Sequence, residues 1–170
     1  MKKRLILGFV ALAMMFLAVT EAEALTWNPF KRTGRVKAST LLVTGNFIYS
    51  RLLTELAQYY SKQPIITISP DVDGGHQLFF MPATNNASAI AADEFMDVVE
   101  YINPKRVVVL GGGDYVPREF VDLARAKYSV ILLDSDDWNK NAESLAEILK
   151  LKKLPALFKD ARTNIDEVTK

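Results

Sequence analysis

The sequence predicts an α/β domain of three layers: a parallel sheet of about four to five strands with helices on both faces. Two observations carry this. Short runs rich in Val, Ile and Leu recur along the chain, and stretches with apolar residues at helical spacing separate them. The clearest run, Arg106-Val107-Val108-Val109-Leu110, stops at Gly111-Gly112-Gly113-Asp114, and Pro117 and Glu119 stand where a helix would start. A strand, a glycine turn and a helix in that order are half of a βαβ unit, the building block of Rossmann-like sheets.

Each element follows in turn. Residues 39–44 read as a short buried strand turned by Gly45-Asn46. A helix over 47–62 places Ile48, Leu52, Leu53, Leu56, Ala57 and Tyr60 on one stripe, and Gln63-Pro64 ends it. Residues 65–68 form the second strand, closed by Ser69-Pro70. Residues 70–88 fit the pattern least. Asp71-Val72-Asp73-Gly74-Gly75 is a turn, and residues 76–81 suggest a short extra strand or hairpin. A helix is expected over 89–102 with Ile90, Phe95, Val98, Val99 and Ile102 inward, stopped by Asn103-Pro104. The third strand is 106–110. The third helix spans about 117–127, with Phe120, Val121 and Leu123 inward. Residues 129–133 make the fourth strand, and 139–150 the fourth helix. Residues 151–170 are read as a tail outside the 39–150 domain, with a small amphipathic helix at most.

The chain opens with an address. Lys2, Lys3 and Arg4 precede an uncharged apolar stretch from Leu5 to Val19, and Ala22-Glu23-Ala24 is a small-residue cleavage site. This is the pattern of a secretory signal over residues 1–24, with 25–38 as an exposed leader. The apolar stretch of 15 residues is short for a membrane span. Removing 24 of the 170 residues leaves 146, one domain, with no further stretch of spanning length. The signal holds three of the 21 Lys and Arg and two of the 20 Asp and Glu, so 18 of each remain. A formal charge of zero gives no argument for nucleic acid or an anionic membrane surface. The chain has no cysteine, which removes disulfides, thiolate metal sites and cysteine nucleophiles. The expected location is outside the cytoplasm: periplasm, cell surface or medium.

Parallel strands bring their following turns to one edge of the sheet, where ligands of such folds bind. The candidate ligand-binding residues are therefore Thr44, Gly45, Asn46, Gly111, Gly112, Gly113, Asp114, Tyr115, Asp134 and Asp136. The glycine turn fits neither G-x-G-x-x-G nor a P-loop, and Asp114 beside it would repel phosphate. Asp134, Asp136 and Asp137 serve a polar loop, with Asp136 or Asp137 as a helix N-cap, or else join Asp114 around a hard cation. No catalytic residue, metal or cofactor is assigned. His76, the only histidine, reads as a loop residue that is solvated or bonded locally. Tyr59-Tyr60 and Phe79-Phe80 are aromatic contacts for sugar or, for at least one of each pair, core.

Two longer patterns bear on function. Leu41-Leu42-Val43-Thr44-Gly45, then a helix and Gln63-Pro64-Ile65-Ile66-Thr67, then Pro104-Lys105-Arg106-Val107 running into Gly111-Gly112, resemble the second type of cell wall-binding repeat of secreted bacterial surface proteins. The resemblance covers about residues 40–150 as one unit. Asp136-Asp137-Trp138 stands where the repeat has Asp-Arg-Tyr, and Gly113-Asp114 where it has small uncharged residues. It implies an exported, non-catalytic module for a cell-envelope polymer or envelope protein. The alternative starts from Asp71-Val72-Asp73-Gly74, which is similar to the nucleophile motif of haloacid dehalogenase-like hydrolases, with Asp134 and Asp137 as late magnesium acids. There Pro70 displaces the first aspartate from the strand, and Gly75 replaces the hydroxyl residue.

Overall fold

The computed structural model describes residues 35–168, so the expected signal and residues 25–34 of the leader lie outside the described residues. The element order is β1 (Thr40–Gly45), α1 (Ile48–Ser61), β2 (Ile65–Pro70), β3 (His76–Met81), β4 (Ser88–Ile90), a 3-10 turn (Ala92–Glu94), α2 (Phe95–Ile102), β5 (Arg106–Leu110), α3 (Arg118–Arg125), β6 (Val130–Leu133), α4 (Trp138–Leu149) and α5 (Leu154–Val168). The strands form one sheet in the order β4-β3-β2-β1-β5-β6. β2, β1, β5 and β6 are parallel, while β3 and β4 add antiparallel at one side.

The four parallel strands match the apolar runs because both of their faces are covered. Leu41, Val43, Ile66, Ile68, Val107 and Val109 pack under α2 and α3. Leu42, Ile65, Val108, Leu110 and Leu133 pack under α1, α4 and α5. The result is the expected three-layer α/β architecture, with six strands and a mixed sheet. Residues 70–88 are the source of the difference. Asp71–Gly75 closes a hairpin, the Asp71 N–H donating to the Gly75 carbonyl at 2.9 Å. Ile90, expected on a helix, sits in β4 opposite Leu78.

Two further expectations are corrected. Residues 154–168 are not a loose tail: α5 lies against α1 and α4 with Leu154 and Phe158 fully in the core. The domain thus extends well past residue 150. On α3, Leu123 faces solvent, and Ala124 takes the inward place beside Phe120 and Val121.

β1 is the centre of the topology. The chain leaves it through α1 to β2 on one side, and later returns through α2, on the opposite face, to β5 on the other side. In an open α/β sheet this reversal splays the connections apart and leaves a crevice at the strand C-terminal ends.

Candidate functional site

The crevice lies where β1 and β5 end, and Tyr115 fills it. The Tyr115 carbonyl would stand 2.7 Å from a Cβ on Gly45, and its ring 2.5 Å from a Cβ on Gly111. Gly111 has φ +90, so it needs glycine on conformational grounds as well. The ring then stacks edge-on between Phe47 and Trp138, with centroids 5.0 and 5.1 Å away. Trp138 is buried, Tyr115 half-buried and Phe47 exposed, so the aromatic row surfaces at Phe47.

The ten sequence candidates divide around this plug. Thr44 is fully buried, and its hydroxyl donates to the Leu110 carbonyl at 2.9 Å, bridging β1 to β5. Gly45 is buried, and its carbonyl accepts from Ser50 Oγ at 2.6 Å. Thr44, Gly45 and Gly111 therefore build the edge and do not face a ligand. Asn46 is exposed, its side-chain amide donating to Ser69 Oγ at 2.8 Å. Gly113, Asp114, Asp134 and Asp136 are also exposed, and Gly112 is partly so.

Gly112 and Gly113 stand apart from Gly45 and Gly111. A Cβ on either would meet nothing within 4 Å, and neither has positive φ. Neither packing nor backbone conformation requires glycine there. What glycine provides at these positions is bare peptide at the rim, open to close approach.

The acidic loop is held from beneath by a residue the sequence did not single out. Asn141, 2% exposed, accepts from the Ser135 N–H at 3.1 Å and donates to the Ser135 carbonyl at 2.8 Å. Asp137 caps α4 by accepting from the Asn139 N–H at 2.9 Å, which leaves Asp134 and Asp136 as the outward carboxylates. His76 is not on a loop. It begins β3 half-buried, with Nδ1 3.4 Å from Glu119 Oε1 and its ring edge-on to Phe120.

The hydrolase constellation does not assemble. Asp71 and Asp73 sit on a hairpin tip beyond β2, whereas Asp134 follows β6. Three strand spacings, about 14 Å, separate those strands. Among the described residues no group of three His, Asp or Glu converges to hold a metal.

Acidic residues gather at the strand C-terminal edge, with Asp71, Asp73, Asp114, Asp134 and Asp136 in its turns and Glu119 in the first turn of α3, beside Arg118 and Lys140. Helix N-termini point the same way, so this polarity also complements their dipoles. The opposite edge holds clefts of its own. One of about 660 Å³ is bounded by Lys37, Pro64, Phe80, Pro82, Asn85 and Tyr101. No helix of the described residues is long and apolar enough to cross a membrane.

Compared with known proteins, the chain matches no family model, no curated protein and no solved structure. The likeness to the cell wall-binding repeat rests on its motif residues, most of which have structural work here. Arg106 donates from Nε to Thr40 Oγ1 at 3.0 Å and from a terminal nitrogen to the Ile148 carbonyl at 2.8 Å, tying β5 to β1 and to the end of α4. The Pro64 carbonyl accepts from the Leu42 N–H at 3.0 Å.

Proposed function

We propose that the protein is an exported, non-catalytic cell-envelope module that binds a polyhydroxylated polymer at the strand C-terminal edge. One observation carries this reading: the bare turn Gly112-Gly113, for which the fold gives no reason, adjoins the Phe47–Tyr115 aromatic pair. An aromatic face supports the apolar side of a sugar ring, and exposed carboxylates and amides accept or donate to its hydroxyls. Asn46, Asp114, Asp134 and Asp136 supply such groups around the row. Because Tyr115 plugs the crevice, the ligand lies across a platform instead of entering a pocket. That geometry suits a chain more than a small metabolite, which a concave site would enclose. The acidic surroundings favour a neutral stretch of polymer over a phosphate-rich one.

The test is retention on purified envelope fractions. Phe47→Ala, Gly112→Val and Asp134→Ala should each weaken retention while thermal melts stay cooperative. If all three variants are retained like the parent, this edge is not the binding face and the reading fails.

A further inference from the structure

The formal charge of zero conceals a strongly polarised molecule. At the N-terminal edge of the parallel strands, the segment entering β1 and the turns after α1, β3, α2, α3 and α4 contain no Asp or Glu. They carry Lys37, Lys62, Lys105, Lys150, Lys152 and Lys153, among others. A cleft of about 560 Å³ opens here between the end of α1 and the turn from α4 to α5. Its apolar lining is Tyr60, Leu151, Leu154 and Leu157, and its rim is Lys150, Lys152 and Lys153. None of these three lysines has an ion-pair partner among the described residues. Tyr59 and Tyr60, expected in part as core, are both exposed, at 68% and 51%.

Apolar lining under a cationic rim, flanked by exposed tyrosines, is the composition of a surface that meets a bilayer. Lysines reach the head groups, and tyrosines settle at the interface. Three helices end at this edge on a left-handed residue, Lys62, Asn103 and Lys150, with φ 56, 48 and 60, where glycine is the usual residue, and two of the three are cations. The chain enters the domain at this edge, where the Lys37 N–H donates to the Ile102 carbonyl at 2.9 Å.

We infer that this edge docks on an anionic lipid surface, with lipid phosphates at Lys150, Lys152 and Lys153 and the apolar cleft against the acyl boundary. The acidic edge, repelled by the same surface, then faces away and presents the Phe47 platform outward.

The test is sedimentation of the exported protein with vesicles of phosphatidylcholine, alone or mixed with phosphatidylglycerol. Reading the difference between the two removes any contribution from a retained apolar leader. Each lysine near an anionic surface is worth about 1 kcal/mol, about fivefold at 1.4 kcal/mol per tenfold. Removing Lys152 and Lys153 as K152E/K153E should therefore reduce the anionic preference by at least about 25-fold. R118E/K140E changes net charge equally at the other edge and should reduce it far less. Tyr60→Ser should weaken vesicle binding several-fold without abolishing the preference for phosphatidylglycerol. The inference is overturned by any of three results: no preference for anionic vesicles, equal loss in the two charge-reversed variants, or binding to a soluble polyanion that matches vesicle binding and ignores Tyr60→Ser. Envelope-polymer retention by K152E/K153E is a separate readout and should be unchanged.

Discussion

The Tyr115 ring occupies the space that any side chain on Gly111 would need, with its Cγ 2.5 Å from the position of a Cβ there. This contact converts the switch-point crevice of the sheet into a closed, aromatic-topped platform. It also divides the three glycines of one turn into two kinds.

Gly111→Ala should destabilise the domain by at least about 2 kcal/mol, since a left-handed alanine and a displaced Tyr115 add up. Gly112→Val, one residue on, has open space and no positive φ, and should stay within about 0.5 kcal/mol of the parent. Chemical denaturation of the two variants separates them. Similar losses would mean that the turn is uniformly structural and that Gly112 has no role at the rim.

Asn141 closes the acidic loop, and its removal should be felt at the platform. Asn141→Leu strands the Ser135 N–H and carbonyl, each at a cost of about 1–3 kcal/mol unless water reaches them. Stability should fall by about that amount. Amide exchange over residues 134–137 should accelerate more than over β5. Unchanged exchange there would show that the loop is held by the Asp137 cap alone.

The sequence made the four parallel strands legible because burial on both faces leaves unbroken apolar runs, as at Val107, Val108 and Val109. β3 and β4 were harder to read. β4 has three residues, and Ile90 lies in phase with the apolar stripe of the helix that follows, so periodicity assigned it there. Leu154 and Phe158 stand at i, i+4, the spacing of a docked helix, but nothing local says that α1 and α4 leave a groove for them. The edge that gathers the turns followed from parallel order. Tyr115 as a plug did not, because its partners Gly45, Phe47, Gly111 and Trp138 come from three separate turns. The basic edge was invisible in the net charge, which sums over the two ends of the strands.

Alkali should loosen the docking of α5 before the sheet melts. The Tyr49 hydroxyl donates to Asp166 Oδ1, and this bond, with the nearby carboxylate charge, raises the phenol above its usual range. The Lys127 ammonium is raised by Glu100, and Tyr128 by burial and the charge of Glu100. In all three the folded state holds its proton more tightly than the unfolded chain. Their contributions are therefore complete below about pH 10, the ordinary range of these groups, and are lost as pH rises through the raised values. Tyr49→Phe should have lower stability at neutral pH and a shallower decline in alkali. A decline identical to the parent's would assign the alkaline sensitivity to Lys127 and Tyr128.

Lys62 and Lys150 give the most direct separation of stability from surface function. Each is a lysine in the left-handed conformation one residue past a helix, a position where a Cβ is strained by about 1–2 kcal/mol and glycine is not. Glycine loses more chain entropy on folding, which offsets about half of the gain. Lys62→Gly and Lys150→Gly should therefore each stabilise the domain by about 0.5–1 kcal/mol, raising Tm by about 2–4 °C. They should act additively, since the two turns close different helices. The same substitutions remove two cations from the edge inferred to meet anionic lipid, so the double variant should be the more stable protein and the weaker vesicle binder. Calorimetry and vesicle sedimentation on one preparation test both halves. A double variant that gains stability and keeps its full preference for anionic vesicles would show that the two lysines are only helix C-terminal charges, and that any lipid contact is made by Lys152 and Lys153 without them.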